Sequence, residues 1–310
     1  MAAYVDEHRS RFRVGPICRV LSESLDCGFL TPRGCRMFRT RPVSRMRARR
    51  EALARAVLQI HSDFFMAVYG CGKMHAQLVA QGRDPAGVGR DQVMNIMREL
   101  GIRGVRRGRP PVTTKPAKGT GGRPDLVDRR FEARAPNRLH VADITYVRMA
   151  NGSLGCTAFA DGVYARRIVG WACAMTMNTQ EPPLQALGQA ISWAASRGGT
   201  DGLIRHGDHG TQYIGTVYAT GVMEYGMLPS TGTVGDSYDN AMAESADGAY
   251  KTELVRRRKP FLDIDDLELA TFRWVSWWNS KRLHRSLGYR TPQAVETEYH
   301  QHQAAQAASL

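Results

Sequence analysis

The pattern of apolar and polar positions divides the chain into a helical first third and a later part in which strands alternate with helices. A helical spacing begins after Ser44, whose side chain suits an N-cap, and places Leu53, Val57 and Ile60 on one face. Residues 1–43 show one short helix around residues 17–24 and are expected to form a short N-terminal segment without an independent domain.

Two short helices are predicted between residues 69 and 104. The first carries Met74, Leu78 and Val79, and a turn follows at residues 81–85. The second bears Val93, Ile96, Met97 and Leu100 and is closed by Gly101. A helix, a glycine-containing turn and a helix in a basic context predict a helix-turn-helix-like DNA-binding domain over residues 44–105, although any pair of antiparallel helices gives the same pattern.

From residue 138 the pattern changes to strands. Residues 139–147 alternate, and Asn151-Gly152 favours a hairpin turn. The elements expected to follow are strands at 154–160 and 167–175, a helix from Pro182, a strand at 203–208, a helix at 216–225, a strand at 227–230 and a helix at 239–253. This order predicts an α/β, ribonuclease-H-like core over residues 136–256. A last helix at 263–279, with Trp274, Trp277 and Trp278 packed inside, is expected in a C-terminal helical extension of the core, residues 257–310.

The composition of the chain indicates a binding partner. The 310 residues are 43% hydrophobic, enough for a core, and carry a formal net charge of +14. Such a charge indicates DNA or RNA as a partner, or else a solvated basic face. Residues 101–135 carry ten Lys or Arg side chains and a net charge of +7. Because prolines and glycines interrupt them, residues 106–135 are predicted to be a basic linker along a phosphate backbone, with Arg106, Arg107 and Lys115 as contacts.

Several classes of protein are disfavoured. The six cysteines contain no closely spaced pair, which argues against structural zinc and against a disulfide framework. The N-terminus lacks the apolar core of a signal peptide, and no apolar run reaches the roughly 18 residues of a membrane span. We therefore expect a cytoplasmic protein without a membrane partner.

Three carboxylates occupy positions suited to metal-assisted phosphodiester chemistry. Asp143 lies in the middle of an apolar strand, Asp208 at the carboxyl end of another, and Glu244 in the first turns of a helix. An acid within a buried strand is costly unless a metal or a partner compensates it. Hard oxygen ligands from distant parts of a chain are what a pair of Mg²⁺ ions requires for cleaving a phosphodiester.

The motifs around these acids resemble those of a known family. HVADITYV, HGDHGTQY and GDSYDNAMAESADGAYKTEL are similar to the core of bacterial two-frame insertion-sequence transposases, specifically the second-frame (OrfB) protein with a retroviral-integrase-like DDE core. The 35 residues between Asp208 and Glu244 and the 64 between Asp143 and Asp208 match its spacing. FRWVSWWNSKRLHRSLGYRTP resembles its C-terminal signature, and YGCGKMHAQL with MRELGIRG its helix-turn-helix region. The similarity runs from about residue 10 to residue 298.

The resemblance implies a transposase that cleaves and joins DNA at the ends of an insertion sequence. Asp143, Asp208 and Glu244 would be catalytic and would hold two Mg²⁺ (or Mn²⁺) ions. Water would attack the phosphate at the element end, and the freed 3′-hydroxyl would then attack a second phosphate. Lys251 would contact the DNA phosphates beside the metals, because seven residues bring it onto the face of Glu244. Further expected DNA contacts are Arg45, Arg49 and Arg90.

The resemblance also implies partners beyond double-stranded DNA. A first-frame (OrfA) product, often fused by frameshifting, normally supplies the main helix-turn-helix, and a homo-oligomer is expected on the DNA.

Alternatives stay open at this point. The family commonly has Trp at the position of His140 and Ser at that of Gly207, which favours a catalytically inactive DNA-binding relic or repressor. A nuclease of the same fold, acting on RNA–DNA hybrids or junctions, is a third possibility. Other polar residues have competing interpretations. Asp161 is expected in a structural turn and Asp239 as an N-cap, and His206 and His209 are expected to contact the metal ligands or a phosphate at most. Arg282, His284 and Arg285 would either contact DNA or form a charged helix end.

Overall fold

A computed structural model describes residues 2–24, 31–84, 87–106, 124–175, 181–207, 216–232 and 241–309. The chain divides into two compact units, Met1–Arg55 and Ala56–Leu310. This division lies within one helix and does not coincide with the predicted boundaries at residues 43 and 105.

Before residue 44, the described residues of the first unit form three helices where the sequence indicated one. They are α1 (Ala2–Phe12), α2 (Val14–Ser24) and α3 (Pro32–Thr40). Val5, Ile17, Cys18 and Cys35 form a small core of their own. Helix α4 (Arg45–His61) runs from this unit into the second, and the Arg47 amide donates to Ser44 Oγ at 3.2 Å, which confirms the predicted N-cap.

The predicted helix pair is present at the start of the second unit. Helix α5 (Cys71–Ala80) packs against α6 (Arg90–Glu99), with Met74, Leu78, Val93 and Ile96 buried between them. Helix α6 ends at the expected place, because Gly101 takes a φ of +67° that a side chain would disfavour.

The centre of the second unit is a five-stranded sheet. Its elements in chain order are β1 (Leu139–Arg148), β2 (Leu154–Gly162), β3 (Arg167–Ala174), α7 (Pro182–Ala195), β4 (Ile204–Gly207), α8 (Thr216–Glu224), β5 (Leu228–Thr231) and α9 (Ala241–Glu253). The spatial order is β3-β2-β1-β4-β5. The first three strands are antiparallel, whereas β4 pairs parallel to β1 and β5 parallel to β4. This confirms the expected ribonuclease-H-like core.

Helices cover both faces of the sheet. Ala142, Leu187, Leu203 and Val222 form the core between the sheet and helices α7 and α8. On the opposite face, Val141 packs with Met242 and Ala243 of α9. Because side chains alternate along a strand, Asp143 lies on the α9 face with Val141.

The C-terminal part contains one helix more than predicted. Helix α10 (Ile264–Ser280) begins at the N-cap Asp263 and buries its three tryptophans, as expected. The prediction that it is the last helix was wrong, because α11 (Pro292–Ala307) follows it. Helix α11 lies against the β2–β3 hairpin: Glu296 pairs with Arg167 at 3.3 Å, and Tyr299 makes an edge contact with Tyr164. Within the described ranges, every helix is too short or too polar to cross a bilayer.

Candidate metal centre and DNA interface

Asp143 lies near the middle of the central strand β1. Its side chain is half-buried, and its Oδ1 accepts a hydrogen bond from the Ile144 amide at 2.8 Å. It is opposite Phe159 on β2, and its neighbours on this face include the apolar Val141 and the buried Thr145. The strand therefore holds a carboxylate at a fixed position beneath α9.

Glu244 is in the first turn of α9, and its side chain is exposed. The two residues before it, Met242 and Ala243, are buried against Val141 of β1. Helix α9 thus places Glu244 at the same side of the sheet as Asp143. A carboxylate in the first turn also interacts favourably with the partial positive charge at the N-terminus of the helix.

Asp208, the third predicted acid, lies outside the described residues. The strand β4 that leads to it ends at Gly207, which pairs with Ala142, the neighbour of Asp143. Among the residues that the structure does describe, no group of three or more His, Cys, Asp or Glu side chains is placed to hold a metal ion. The described part of the site therefore contains two of the three predicted ligands.

A further acid, Asp247, was not identified from the sequence. It follows Glu244 by three residues on α9, is only 7% exposed, and shares a hydrogen bond with Asp143. Burial and the nearby Asp161 carboxyl raise the pKa of Asp247 to about 8, whereas the Lys251 ammonium opposes the shift. The face of α9 that carries Glu244, Asp247 and Lys251 is thus directed at β1.

The expected turn role of Asp161 was wrong. Asp161 lies within β2, pairs with Val141, and is only 2% exposed. Neither of its carboxyl oxygens has a hydrogen-bond partner among the described residues. Burial raises the pKa of Asp161 to about 8, and Asp143 adds to this, although Arg205 and Arg166 oppose the shift. Asp161 is therefore a buried acid on the same sheet face as Asp143.

The pKa of Asp161 gives a testable pH dependence. A carboxyl group whose pKa is raised by folding contributes stability below its unfolded value near 4, and this contribution is lost as the pH rises through about 8. Asp161→Asn removes the titration. We expect the stability of the variant relative to the wild type to increase between pH 4 and 8, by at most about 1.4 kcal/mol per pH unit. Urea unfolding at several pH values with a chelator present measures this, and parallel pH profiles would contradict it.

The two positions that depart from the family pattern have different environments. His140 is buried, and burial together with Arg205 lowers its pKa to about 3, so it is a neutral core residue. Gly207 closes β4 opposite Ala142. His206 is buried as well, with Nδ1 at 2.9 Å from Ser230 Oγ, which makes it a core contact rather than a phosphate ligand. His209 and Asp239 lie outside the described residues.

The predicted DNA contacts are distributed over both units. Those with exposed side chains are Arg45 and Arg49 on α4, Arg90 at the start of α6, and Arg106. Lys251 on α9 is half-buried, and its positive charge lowers the pKa of Asp247. Arg107 and Lys115 lie outside the described residues. Lys251 therefore lies beside a candidate acid, and the other contacts stay predictions.

Comparison with known protein families gives two matches. An integrase core domain matches residues 225–292, and a helix-turn-helix-like domain matches residues 48–110. Among solved structures, the chain resembles the HTLV-2 integrase catalytic core domain in complex with magnesium (dimeric form), at 16% identity and a TM-score of 0.41. The similar region covers 53% of this chain and 99% of that one.

Transposases are found among the curated relatives. The putative transposase for insertion sequence element IS986/IS6110 of Mycobacterium tuberculosis is 41% identical over 84% of this chain and 92% of its own length. The transposase for insertion sequence element IS629 of Shigella sonnei is 38% identical over 97% of both chains. With an integrase core, a helix-turn-helix-like domain and this similarity over nearly the whole length, the chain belongs to the insertion-sequence transposases.

Proposed function

We propose that this chain cleaves DNA at the ends of its insertion sequence and joins the freed ends to a target, with Asp143, Asp208 and Glu244 as ligands of two Mg²⁺ (or Mn²⁺) ions. Membership of the transposase family establishes an integrase-type core acting in DNA transposition. The observation that carries the finer proposal is the placement of Asp143 on the central strand beneath the acidic face of α9.

The donor set fits such ions. Mg²⁺ prefers carboxylate oxygens, and the described part of the site presents them from Asp143, Glu244 and the adjacent Asp247. The pKa of Asp247 is raised by burial and by a neighbouring carboxyl, and a divalent cation would stabilise its charged form. When bound, the ions would lower the pKa of the attacking water or hydroxyl and stabilise the charge on the leaving oxygen.

The protein side chains would position the reacting groups. Asp143 is held by the Ile144 amide and by Asp247, so its carboxylate has few accessible orientations. Lys251, two turns after Glu244 on α9, would bind a DNA phosphate beside the acids. In this proposal most of the rate arises from positioning and charge neutralisation, and no serine or tyrosine nucleophile takes part.

The DNA partners follow from the same proposal. We also propose that this chain forms a homo-oligomer on double-stranded DNA. The helix pair α5–α6, with the basic segment after it, would bind the element ends together with a first-frame partner.

The test uses purified full-length protein and labelled DNA carrying the element ends. We expect nicking and joining with Mg²⁺ or Mn²⁺ and none when EDTA replaces the metal. Binding of the ends without cleavage under any metal condition would contradict the proposal and favour the inactive relic or repressor. Cleavage of RNA–DNA hybrids in preference to element ends would favour the nuclease.

A further inference from the structure

A cavity lies beside the candidate metal centre, and no role assigned so far uses it. Its volume is about 210 Å³, which is several times the volume of a water molecule and accommodates a phosphate group. Four parts of the second unit enclose it: helix α5, the β2–β3 turn, helix α9 and the segment after α10. The cavity therefore joins the helix pair to the catalytic core.

The lining of the cavity is strongly basic. Lys73, Arg166, Arg282 and Arg285 contribute to it, and Asp161 is the acid among its lining residues. Arg282 is largely neutralised, since its guanidinium makes two hydrogen bonds to Glu253, at 2.6 and 2.8 Å, and lies 4.2 Å from the Trp278 ring centroid. Lys73, Arg166 and Arg285 are the other basic side chains of the lining.

His284 also lines the cavity, and its pKa is affected by these positive charges. Burial lowers its pKa to about 2, and Arg282, Lys73 and Arg166 each contribute to the decrease. The positive charges of Lys73 and Arg166, which disfavour a protonated His284, favour an anion at the same place. The bound species that matches the cavity is accordingly negative.

Asp161 gives a second indication that the cavity binds a ligand. It is 98% buried, lines the cavity, and has no hydrogen-bond partner for either oxygen within the described chain. A buried carboxyl without partners is costly, and a ligand that accepts its proton in a hydrogen bond would remove that cost. Because burial raises the pKa of Asp161 to about 8, the group is a neutral donor at pH 7 and does not repel a phosphate oxygen.

The location of the cavity relates it to the candidate reaction. Ser245, which follows Glu244 directly, is part of the lining. Phe159 of β2 pairs with Asp143, and Asp161 follows Phe159 by two residues. Asp161 is therefore displaced by about 7 Å along the strand from the level of Asp143. Arg285 and Ser286 are the exposed members of the lining, so a ligand can reach the cavity from their side.

We propose that this cavity binds one backbone phosphate of the DNA strand that is cleaved, with Lys73, Arg166 and Arg285 as its cationic contacts and Ser245 and Asp161 as hydrogen-bond donors. The inference rests on the proposed function and deepens it. It adds a phosphate site distinct from Lys251, and it gives the helix α5 a direct part in placing DNA at the acids.

The test measures binding rather than cleavage. Arg285→Gln is compared with Arg273→Gln, a matched substitution at an exposed arginine of α10 that does not line the cavity. Affinity for element-end DNA is measured by fluorescence anisotropy in Ca²⁺ over a series of salt concentrations. We expect Arg285→Gln to bind about tenfold more weakly and to reduce the slope of log K against log salt by about one, and Arg273→Gln to change neither.

A double-mutant cycle then identifies the phosphate. Methylphosphonate, which is neutral, replaces single phosphates along the end of the DNA. One position should weaken binding to the wild type about tenfold and leave binding to Arg285→Gln unchanged. Lys73→Gln should show the same coupling, which separates a phosphate contact from a local distortion at residue 285.

The outcomes of this test can be distinguished from the outcomes of the cleavage test of the proposed function. Equal losses in Arg285→Gln and Arg273→Gln, or no coupled methylphosphonate position, would overturn the phosphate site even if the wild type cleaves DNA. Inorganic phosphate that stabilises the wild type but not Arg285→Gln against heat, without such coupling, would assign the cavity to a free anion and also overturn the proposal. Coupling in a wild type that never cleaves would support the phosphate site and contradict only the proposed chemistry.

Discussion

Asp143→Asn is expected to reduce DNA cleavage and joining by at least about a thousandfold. The substitution keeps the size of the side chain and the acceptor for the Ile144 amide, which now donates to Asp143 Oδ1 at 2.8 Å. It removes one negative charge from a site whose proposed ions are bound by charge. The rate of nicking of labelled element-end DNA in Mg²⁺ measures the effect.

Two controls distinguish a loss of the catalysed reaction from a loss of folding or of DNA binding. The melting temperature of Asp143→Asn and its affinity for the same DNA should stay close to those of the wild type. Asp265→Asn, at an exposed acid in the first turn of α10, should cleave at the wild-type rate. Activity of Asp143→Asn within about tenfold of the wild type would remove Asp143 from the ligand set.

Gly170→Ala is expected to destabilise the second unit by about 3 kcal/mol or more. Gly170 lies on β3 where helix α7 crosses it, and a Cβ built there would be 2.0 Å from the carbonyl oxygen of Ala186. The obstructing atoms belong to helix backbone, so no rotamer change relieves the clash. Helix and strand would have to separate, which would open the core formed by Ala160, Val169 and Ala190. Chemical denaturation measures the change.

Gly188 provides a matched control on the same helix. A Cβ at Gly188 meets no atom within 4 Å. Gly188→Ala should therefore stabilise the protein by about 0.5–1 kcal/mol, because alanine loses less backbone entropy in a helix than glycine does. If both substitutions changed the free energy of unfolding in the same direction, close packing of α7 on β3 would not be the reason for glycine at position 170.

The catalytic core was predictable because its elements have strong periodicity. Alternation over residues 139–147 and the Asn151-Gly152 turn are local signals, and β1, β2 and β3 formed close to the expected bounds. Helix α11 gave no comparable signal, since its buried residues are only Pro292, Val295 and Glu296. It is held by Arg167 and Tyr164, which are distant in sequence. Pairings of that kind cannot be read from a local pattern.

The candidate site was only partly predictable for the same reason. Asp143 and Glu244 were identifiable from motif and spacing, but Asp247 lies in a stretch of small residues and becomes significant only when α9 packs on β1. Its position three residues after Glu244 and four before Lys251 was the available signal. Asp161 was misassigned because Asp-Gly usually marks a turn, whereas pairing with Val141 extends β2 to Gly162.

The central position of β1 has a consequence for the dynamics of the site. Along one edge its residues 140–148 pair with β2, and along the other its residues 139–142 pair with β4. Their exchange with deuterium then requires the sheet itself to separate, so protection around Ala142 should report the global free energy of unfolding. The backbone that carries Asp143 is thereby among the last parts of the molecule to open, and the enzyme keeps this carboxylate in register through every smaller fluctuation.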